Sequence, residues 1–310
     1  MRQARICVLA SYMRDVSISV DRFPVPGETR VGRDGLESHG GKGSNQAVQA
    51  ARCGASVSII AALGVDGAGR AAKALWQSEG IDASRSVQCE GYTSGLAVIV
   101  VDGAGENQIV IAPGANSALS CNDIESARPL IEAADLVIAQ LETPIECTVR
   151  AFELARRAGV QTLLNTAPAP ESLPDRLWAL TDILIANEIE SAMLAGVTPQ
   201  TDPVVIGAQL VERVGVAVAI TIGEQGALFF LKGQAALRCA ALPVAVLDTT
   251  GAGDAFVGAF GASWAASKNP QRSLEMGVAA GSLACTGRSV VPALADAAAI
   301  ERAMADGSAR

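Results

Sequence analysis

The sequence has a single histidine, His39, and its aromatic residues make up only 4% of 310 positions. A Ser–His–Asp triad or a histidine-rich zinc site has too little to draw on, and His39 reads as a loop residue that makes hydrogen bonds. No two cysteines form a CxxC pair, and the seven, at 7, 53, 89, 121, 147, 239 and 285, are scattered and odd in number. That pattern excludes a disulfide scaffold and predicts a reduced, cytoplasmic chain with mostly buried thiols. Long apolar runs are also missing. The first stops after Ile6 to Ala10, so neither a secretion signal nor a membrane span is expected. Positive charge is in deficit, with 24 Lys and Arg against 32 Asp and Glu and a net charge of −8. A broad basic face for nucleic acid or an anionic membrane is therefore not expected. No internal repeat, linker or low-complexity tract is visible.

Half of the residues are hydrophobic, enough for a large core, and the length allows one large domain or two small ones. Strands are expected over Arg5–Ser11 and Val57–Ala61, with a helix ending at Cys53 between them and another from Asp66-Gly67 to Glu79. From about residue 120 the alternation is regular. Helices over 122–132, 145–158, 188–195 and 203–213 interleave with strands over 135–140, 160–164, 182–186 and 216–222. A hairpin over 227–240 and mostly helical segments follow. This rhythm predicts an α/β fold, a three-layer α/β/α sandwich with a mainly parallel central sheet, whose ligands bind at the carboxyl ends of the strands. Residues 12–38, with a turn at Phe23–Glu28, and the hairpin over 95–112 do not fit that sheet. They are expected to form a small β lid on a single domain spanning 1–310.

The stretch Asp248-Thr249-Thr250-Gly251-Ala252-Gly253-Asp254 organises the rest. An apolar run, Leu242 to Leu247, reads as a strand entering it, and a helix over about Ala255–Ala266 leaves it. Small residues allow close backbone approach, and the helix N-terminus offers unpaired N–H groups with partial positive charge, suited to a phosphate or an oxyanion. Asp254 is either a base beside that anion site or an ordinary N-cap. Five further stretches are weaker alone. Asp15, after the first strand, can accept from two adjacent sugar hydroxyls, or is a solvated loop acid. Gly40-Gly41-Lys42-Gly43-Ser44-Asn45 permits close approach, with Lys42 and Asn45 as polar handles. It is not a Walker A loop, because Leu36 stands where that motif needs glycine. Gln140-Leu141-Glu142 ends a strand, with a helix N-cap as the alternative for Glu142. Asn187-Glu188-Ile189-Glu190 offers oxygens for a hydrated Mg²⁺, or ordinary helix-start acids. Thr221-Ile222-Gly223-Glu224-Gln225-Gly226 suits a nucleotide phosphate, or is a turn before a hairpin.

Together and in this order, these stretches resemble the ribokinase-like (PfkB) carbohydrate kinase family over essentially the whole chain. Phe23, Pro24, Pro26, Gly27 and Glu28, the Gly105-Glu106-Asn107 and Gly114-Ala115-Asn116 stretches, and Leu164-Asn165 with Ala167-Pro168 look like its ribokinase and deoxyribokinase branch. The resemblance implies transfer of the ATP γ-phosphoryl group to the 5-hydroxyl of D-ribose or 2-deoxy-D-ribose. It implies Asp254 as the base and Gly251, Ala252 and Gly253 as the anion hole. Asp15, Met13, Gly41, Lys42, Asn45, Glu142 and Asp254 would face the sugar. Asn187, Thr221, Gly223, Gly226 and Gly253 would contact ATP, and Asn187 and Glu190 would organise Mg²⁺, largely through water. Asp248 and Thr250 would help bind a monovalent cation, K⁺ in the family. A homodimer paired through the lid is also implied.

Two departures stand out. Where ribokinases usually carry asparagine, two positions before the lid aspartate, this chain has Met13, which cannot donate a hydrogen bond to a 2-hydroxyl. Either 2-deoxyribose is used at least as well as ribose, as this predicts, or Met13 only packs the lid and water replaces the lost contact. The loop Cys285–Pro292 looks two or three residues shorter than in ribokinases, which predicts weak or altered K⁺ dependence. A kinase of nucleosides or hexose phosphates is the first alternative, with Arg14 and Arg33 as candidate phosphate partners. A non-catalytic sugar-binding regulator is opposed by the intact Asp254 and its glycines. A nicotinamide-dependent dehydrogenase is opposed by the first strand, which ends at Ala10-Ser11-Tyr12 without a GxGxxG turn.

Overall fold

The structure, a computed structural model, describes residues 3–170 and 172–308. Its strands in chain order are β1 Arg5–Leu9, β2 Met13–Ser19, β3 Arg33–Gly40, β4 Ser56–Ile60, β5 Ala62–Gly64, β6 Val87–Cys89 and β7 Gly95–Val101. They continue with β8 Asn107–Ala112, β9 Leu136–Ala139, β10 Gln161–Asn165, β11 Ile183–Asn187, β12 Ala217–Thr221, β13 Ala227–Leu231 and β14 Leu237–Cys239. Eight of them form one sheet in the order β14-β13-β12-β11-β10-β9-β1-β4. All its pairings from β4 to β12 are parallel, and only β13 and β14 run antiparallel.

The central strands are short and buried on both faces, which is why they read as continuous apolar runs. Alternate residues serve opposite layers. Ile6, Val8 and Ile138 join Phe256, Phe260 and Trp264 on one side, while Cys7, Leu9 and Val137 join Phe152, Leu177 and Leu210 on the other. Helices Lys42–Arg52, Gly67–Ser78, Ala252–Ser267 and Pro270–Ala284 cover the first face. Helices Ile145–Arg157, Glu188–Ala195 and Pro203–Val211 lie on the second. The expected three-layer α/β/α sandwich is thus the observed fold.

The chain leaves β1 toward β4 on one side and later places β9 on the other. Strand order therefore reverses at β1, the place where a crevice opens beyond the carboxyl ends of the strands. A second sheet, β3-β2-β7-β8, stands next to that crevice, with β2 and β7 paired in parallel across more than 80 residues of chain. A small β5–β6 pair was not anticipated. Nor do Leu242–Leu247 form the expected strand; they are irregular, and Val246 and Leu247 are exposed. Pro243 has no N–H for a ladder. The segment is pinned instead at its end, where the Leu247 N–H donates to the Cys285 carbonyl at 2.8 Å.

Candidate active site

Asp254 lies in the first turn of the 16-residue helix Ala252–Ser267 and is 8% exposed. It does not cap the helix. The N-cap is Gly251, whose φ of 82° is left-handed and which makes no side-chain cap. A Cβ there would lie 2.4 Å from Val290 Cγ1, so glycine is required on two counts. Asp254 points instead toward the helix Lys42–Arg52. Its Oδ2 accepts from Asn45 Nδ2 at 2.9 Å and its Oδ1 from Gln46 Nε2 at 3.0 Å. Ala252 N–H donates to the Thr249 carbonyl, and Ala255 N–H to that of Gly251. The Gly253 and Asp254 N–H groups between them are orphan donors of a helix start.

Helix Lys42–Arg52 reaches this point because its own N-terminus is pressed onto the end of β1. Gly41 has φ 90°, and a Cβ on it would lie 2.6 Å from Tyr12 Cα. Lys42 N–H donates at 3.0 Å to Glu142 Oε2, which also accepts from the Ser11 hydroxyl at 2.6 Å. Glu142 therefore ties Ser11, just past β1, to the first N–H of helix Lys42–Arg52, and does not cap the helix Ile145–Arg157 that follows it. Burial pulls the Lys42 ammonium down, but Asp254, Glu142, Glu190 and Asp15 together outweigh it and raise its pKa above the ordinary value. Asp15, on β2, is pushed up to about 7, first by burial, then by the Glu142 and Asp254 carboxylates, with Lys42 opposing. Met13, on the same strand, is buried against Gly95 and Asn116, whose Nδ2 lies 3.7 Å from Met13 Sδ.

A cavity of about 210 Å³ joins Lys42, Asn165, Asn187, Glu190, Thr221, Gly251, Gly253 and Asp254. Asn187 and Glu190 form a capping box. Asn187 Oδ1 accepts from the Glu190 N–H at 2.8 Å, and Glu190 Oε2 accepts from the Asn187 N–H at 3.0 Å. The helix-start reading of these residues is therefore real, and it leaves Glu190 Oε1 as the carboxylate oxygen not spent on the cap. Burial raises the Glu190 pKa against the pull of the Asn187 N–H and Lys42. No group of three or more His, Cys, Asp or Glu side chains among the described residues is placed to hold a metal ion. A cation here would keep most of its waters, as Mg²⁺ does.

Gly223 is exposed with open space around it. Gly226 is buried, and a Cβ on it would lie 2.0 Å from the Cys239 carbonyl, so its place is in the packing of the hairpin. Asp248 and Thr250 form a turn in which Asp248 Oδ1 accepts from the Thr250 N–H at 2.9 Å. His39 lies in β3, not in a loop, and its Nδ1 pairs with the Tyr12 hydroxyl at 2.9 Å.

Sequence reasoning did not single out Gln46 or assign a role to Gln140 and Asn165. Gln46 Nε2 also donates to Asn165 Oδ1 at 3.0 Å, and Gln46 Oε1 accepts from Gln140 Nε2 at 2.7 Å. A glutamine beside a glycine-rich turn carries no pattern of its own; only burial reveals it.

Comparison with known proteins places the chain in a family. Residues 3–296 match the pfkB family carbohydrate kinases. The chain is 37% identical over 283 residues to a ribokinase of Haemophilus influenzae, covering 91% of this chain and 92% of that one. It is 32% identical over 285 residues to a deoxyribokinase of Salmonella typhi, covering 91% and 93%. It also spans 47% of the length of a bifunctional ribokinase/ribose-5-phosphate isomerase A of Fructilactobacillus sanfranciscensis, with 38% identity over 257 residues. The solved structure of Arabidopsis thaliana ribokinase complexed with ribose and ATP superposes with a TM-score of 0.89 at 27% identity, over 98% of this chain and 99% of that one. With its Asp254 carboxylate set at a helix start above the strand ends, the chain belongs to the pfkB family of carbohydrate kinases.

Proposed function

We propose that this chain is an ATP-dependent pentose kinase that phosphorylates the 5-hydroxyl of D-ribose or 2-deoxy-D-ribose. The observation that carries the reading is Asp254, a buried carboxylate held by two amides beside the orphan N–H groups of Gly253 and its own backbone. Each of its oxygens accepts one hydrogen bond, which fixes the carboxylate and leaves further lone pairs to meet a substrate hydroxyl. A free alcohol is a poor nucleophile, and proton transfer to a carboxylate becomes favourable only as the O–P bond forms. A base so placed typically contributes about 10²–10⁴-fold. The orphan N–H groups of Gly253 and Asp254, rather than the Ala252 N–H already given to Thr249, would meet the transferring phosphoryl oxygens, and the Lys42 ammonium would offset their charge.

Asp15, Glu142, Lys42, Gly41 and Asn45 would hold the sugar. Among the described residues Asn45 Oδ1 is buried without a partner, an acceptor that a sugar hydroxyl would satisfy. Thr221 and Gly223 would contact ATP. Mg²⁺ fits Glu190 Oε1 and the nearby Asn187 through water, and would neutralise the polyphosphate. The β3-β2-β7-β8 sheet would act as a lid that excludes water, and its exposed Ile109, Val110 and Ile111 suit pairing with a second lid in a homodimer. Seven free thiols suit the reducing cytoplasm. For K⁺, two of the oxygens near Asp248 already accept hydrogen bonds, and the Cys285–Pro292 loop is short. The Cys285 carbonyl takes two N–H groups, and Asp248 Oδ1 takes a third, so K⁺ should matter little.

Of the two pentoses, Met13 favours 2-deoxyribose, since it offers an apolar surface where a 2-hydroxyl would lose a partner, at a cost of roughly 1–3 kcal/mol. The test is ADP release with MgATP and each pentose, repeated with Asp254→Asn. Turnover lost by about 10²-fold or more in the variant, and 2-deoxyribose used at least as well as ribose, are expected. No turnover of either pentose would discard the reading. Ribose preferred more than about tenfold, roughly 1.4 kcal/mol, would discard the role of Met13.

A further inference from the structure

Three buried amides, Asn165, Gln46 and Gln140, line up behind Asp254, and their polarity is fixed from one end. The Ile185 carbonyl in β11 can only accept. It takes Asn165 Nδ2 at 3.1 Å, which turns Asn165 Oδ1 toward Gln46. That oxygen can only accept as well, so Gln46 must present its amino group. The second hydrogen of the same amino group falls on Asp254 Oδ1. Gln46 Oε1 then faces away, and Gln140 Nε2 closes the chain on it. Gln46 is fully buried, and Gln140 and Asn165 are nearly so. Reversing one amide would set oxygen against oxygen along the row, which a buried site penalises strongly.

We propose that Gln46 is a positioning residue for the phosphoryl-transfer reaction. Oriented by Asn165 and Gln140, it keeps a donor on Asp254 Oδ1 and so holds the carboxylate aimed at the substrate hydroxyl. This rests on the reading of Asp254 as the base. An ionised carboxylate has about four acceptor positions; Asn45 and Gln46 take one on each oxygen and leave the rest to the substrate. A protonated Asp254 would have to turn its O–H away from both donors. The chain also ties the base to the ends of β9, β10 and β11, so the sheet itself sets where the carboxylate stands. Charged groups facing Asp254 from the neighbouring elements are Lys42, Glu190 and Asp15, with Glu142 beside Lys42 and Asp15. Among the described residues, none of them bonds Gln46.

The experiment compares Gln46→Glu and Gln46→Met with the parent and with Asp254→Asn, recording kcat and sugar KM from pH 5.5 to 9 at saturating MgATP. Gln46→Glu replaces the donor by a carboxyl that must share a proton with Asp254, so the acid limb of the kcat profile should move up by about one unit or more. Gln46→Met removes the donor without adding charge and should move the limb less, with kcat down about tenfold, the worth of a hydrogen bond to a charged group. Sugar KM should change by less than about threefold in both, under 1 kcal/mol. Since Asp15 titrates in the same window, the readout is the difference from the parent. Acid limbs coinciding with the parent's, or losses confined to KM, would overturn the proposal, as would failure of both variants to fold, which would make Gln46 structural only. Activity retained in Asp254→Asn would instead remove the reading of the base, whatever the Gln46 variants do.

Discussion

Raising the pH from 6 to 8 should lower the sugar KM by roughly tenfold, and Asp15 is the reason. A Cβ on Gly40 would lie 2.2 Å from either Asp15 carboxylate oxygen, so the half-buried carboxyl lies flat over Gly40. Burial first, then Glu142 and Asp254, push its pKa up to about 7, with Lys42 only partly offsetting them. Two sugar hydroxyls need both oxygens as acceptors, so binding prefers the ionised form. With a pKa near 7, the ionised fraction rises from roughly 9% at pH 6 to roughly 91% at pH 8, a tenfold change in apparent affinity. Folding stability runs the other way. A carboxyl whose folded pKa lies above its unfolded value stabilises the fold most below about 4, and that contribution is lost as pH rises to about 7. The assay is KM for the preferred pentose at pH 6, 7 and 8 with parent and Asp15→Asn. Calorimetric titrations near pH 6.5 in two buffers would count the proton released on binding. A flat KM in the parent, or an equal slope in Asp15→Asn, would refute the reasoning.

Other substitutions probe the remaining parts of the site. Met13→Asn should raise the ribose to 2-deoxyribose ratio of kcat/KM by about fivefold or more, the lower end of what one buried hydroxyl partner is worth; an unchanged ratio would mean that Met13 only packs against Gly95. Gly251→Ala should lower Tm and kcat together, because a left-handed φ alone costs a non-glycine residue roughly 1–2 kcal/mol and the new methyl meets Val290. Thermal melts and turnover on the same preparation check this, and a parental Tm would contradict it. Replacing Na⁺ by K⁺ should change the rate by less than about threefold, under 1 kcal/mol; a many-fold rise would show that the Cys285–Pro292 loop still completes a cation site.

What the sequence makes legible is what is local. The central strands announce themselves because both faces are buried, and the turn before Ala252–Ser267 does so because Gly251 needs a left-handed φ and Asp254 follows three residues later. The apolar run at Leu242–Leu247 misled for a physical reason: hydrophobicity is necessary for an inner strand, but Pro243 denies it a ladder, and Val246 and Leu247 face solvent. The β2–β7 pairing is invisible because its partners are far apart and the alternation is satisfied equally by a hairpin.

Gln46 sits between these cases, and it shows where motif reasoning stops. Asn45 and Gln46 are neighbours on one helix and grip the two oxygens of the same carboxylate, yet only Asn45 reads as functional from the sequence. The difference lies in what supports each. Asn45 keeps a free oxygen for a ligand, so its chemistry faces outward. Gln46 is satisfied on every side by Asn165 and Gln140, residues more than 90 positions away along the chain. A base becomes reliable only when its supports are themselves fixed. Those supports come from strand ends that no short motif spans, so the geometry of catalysis in this chain is set by the order of the sheet as much as by the glycine-rich turn.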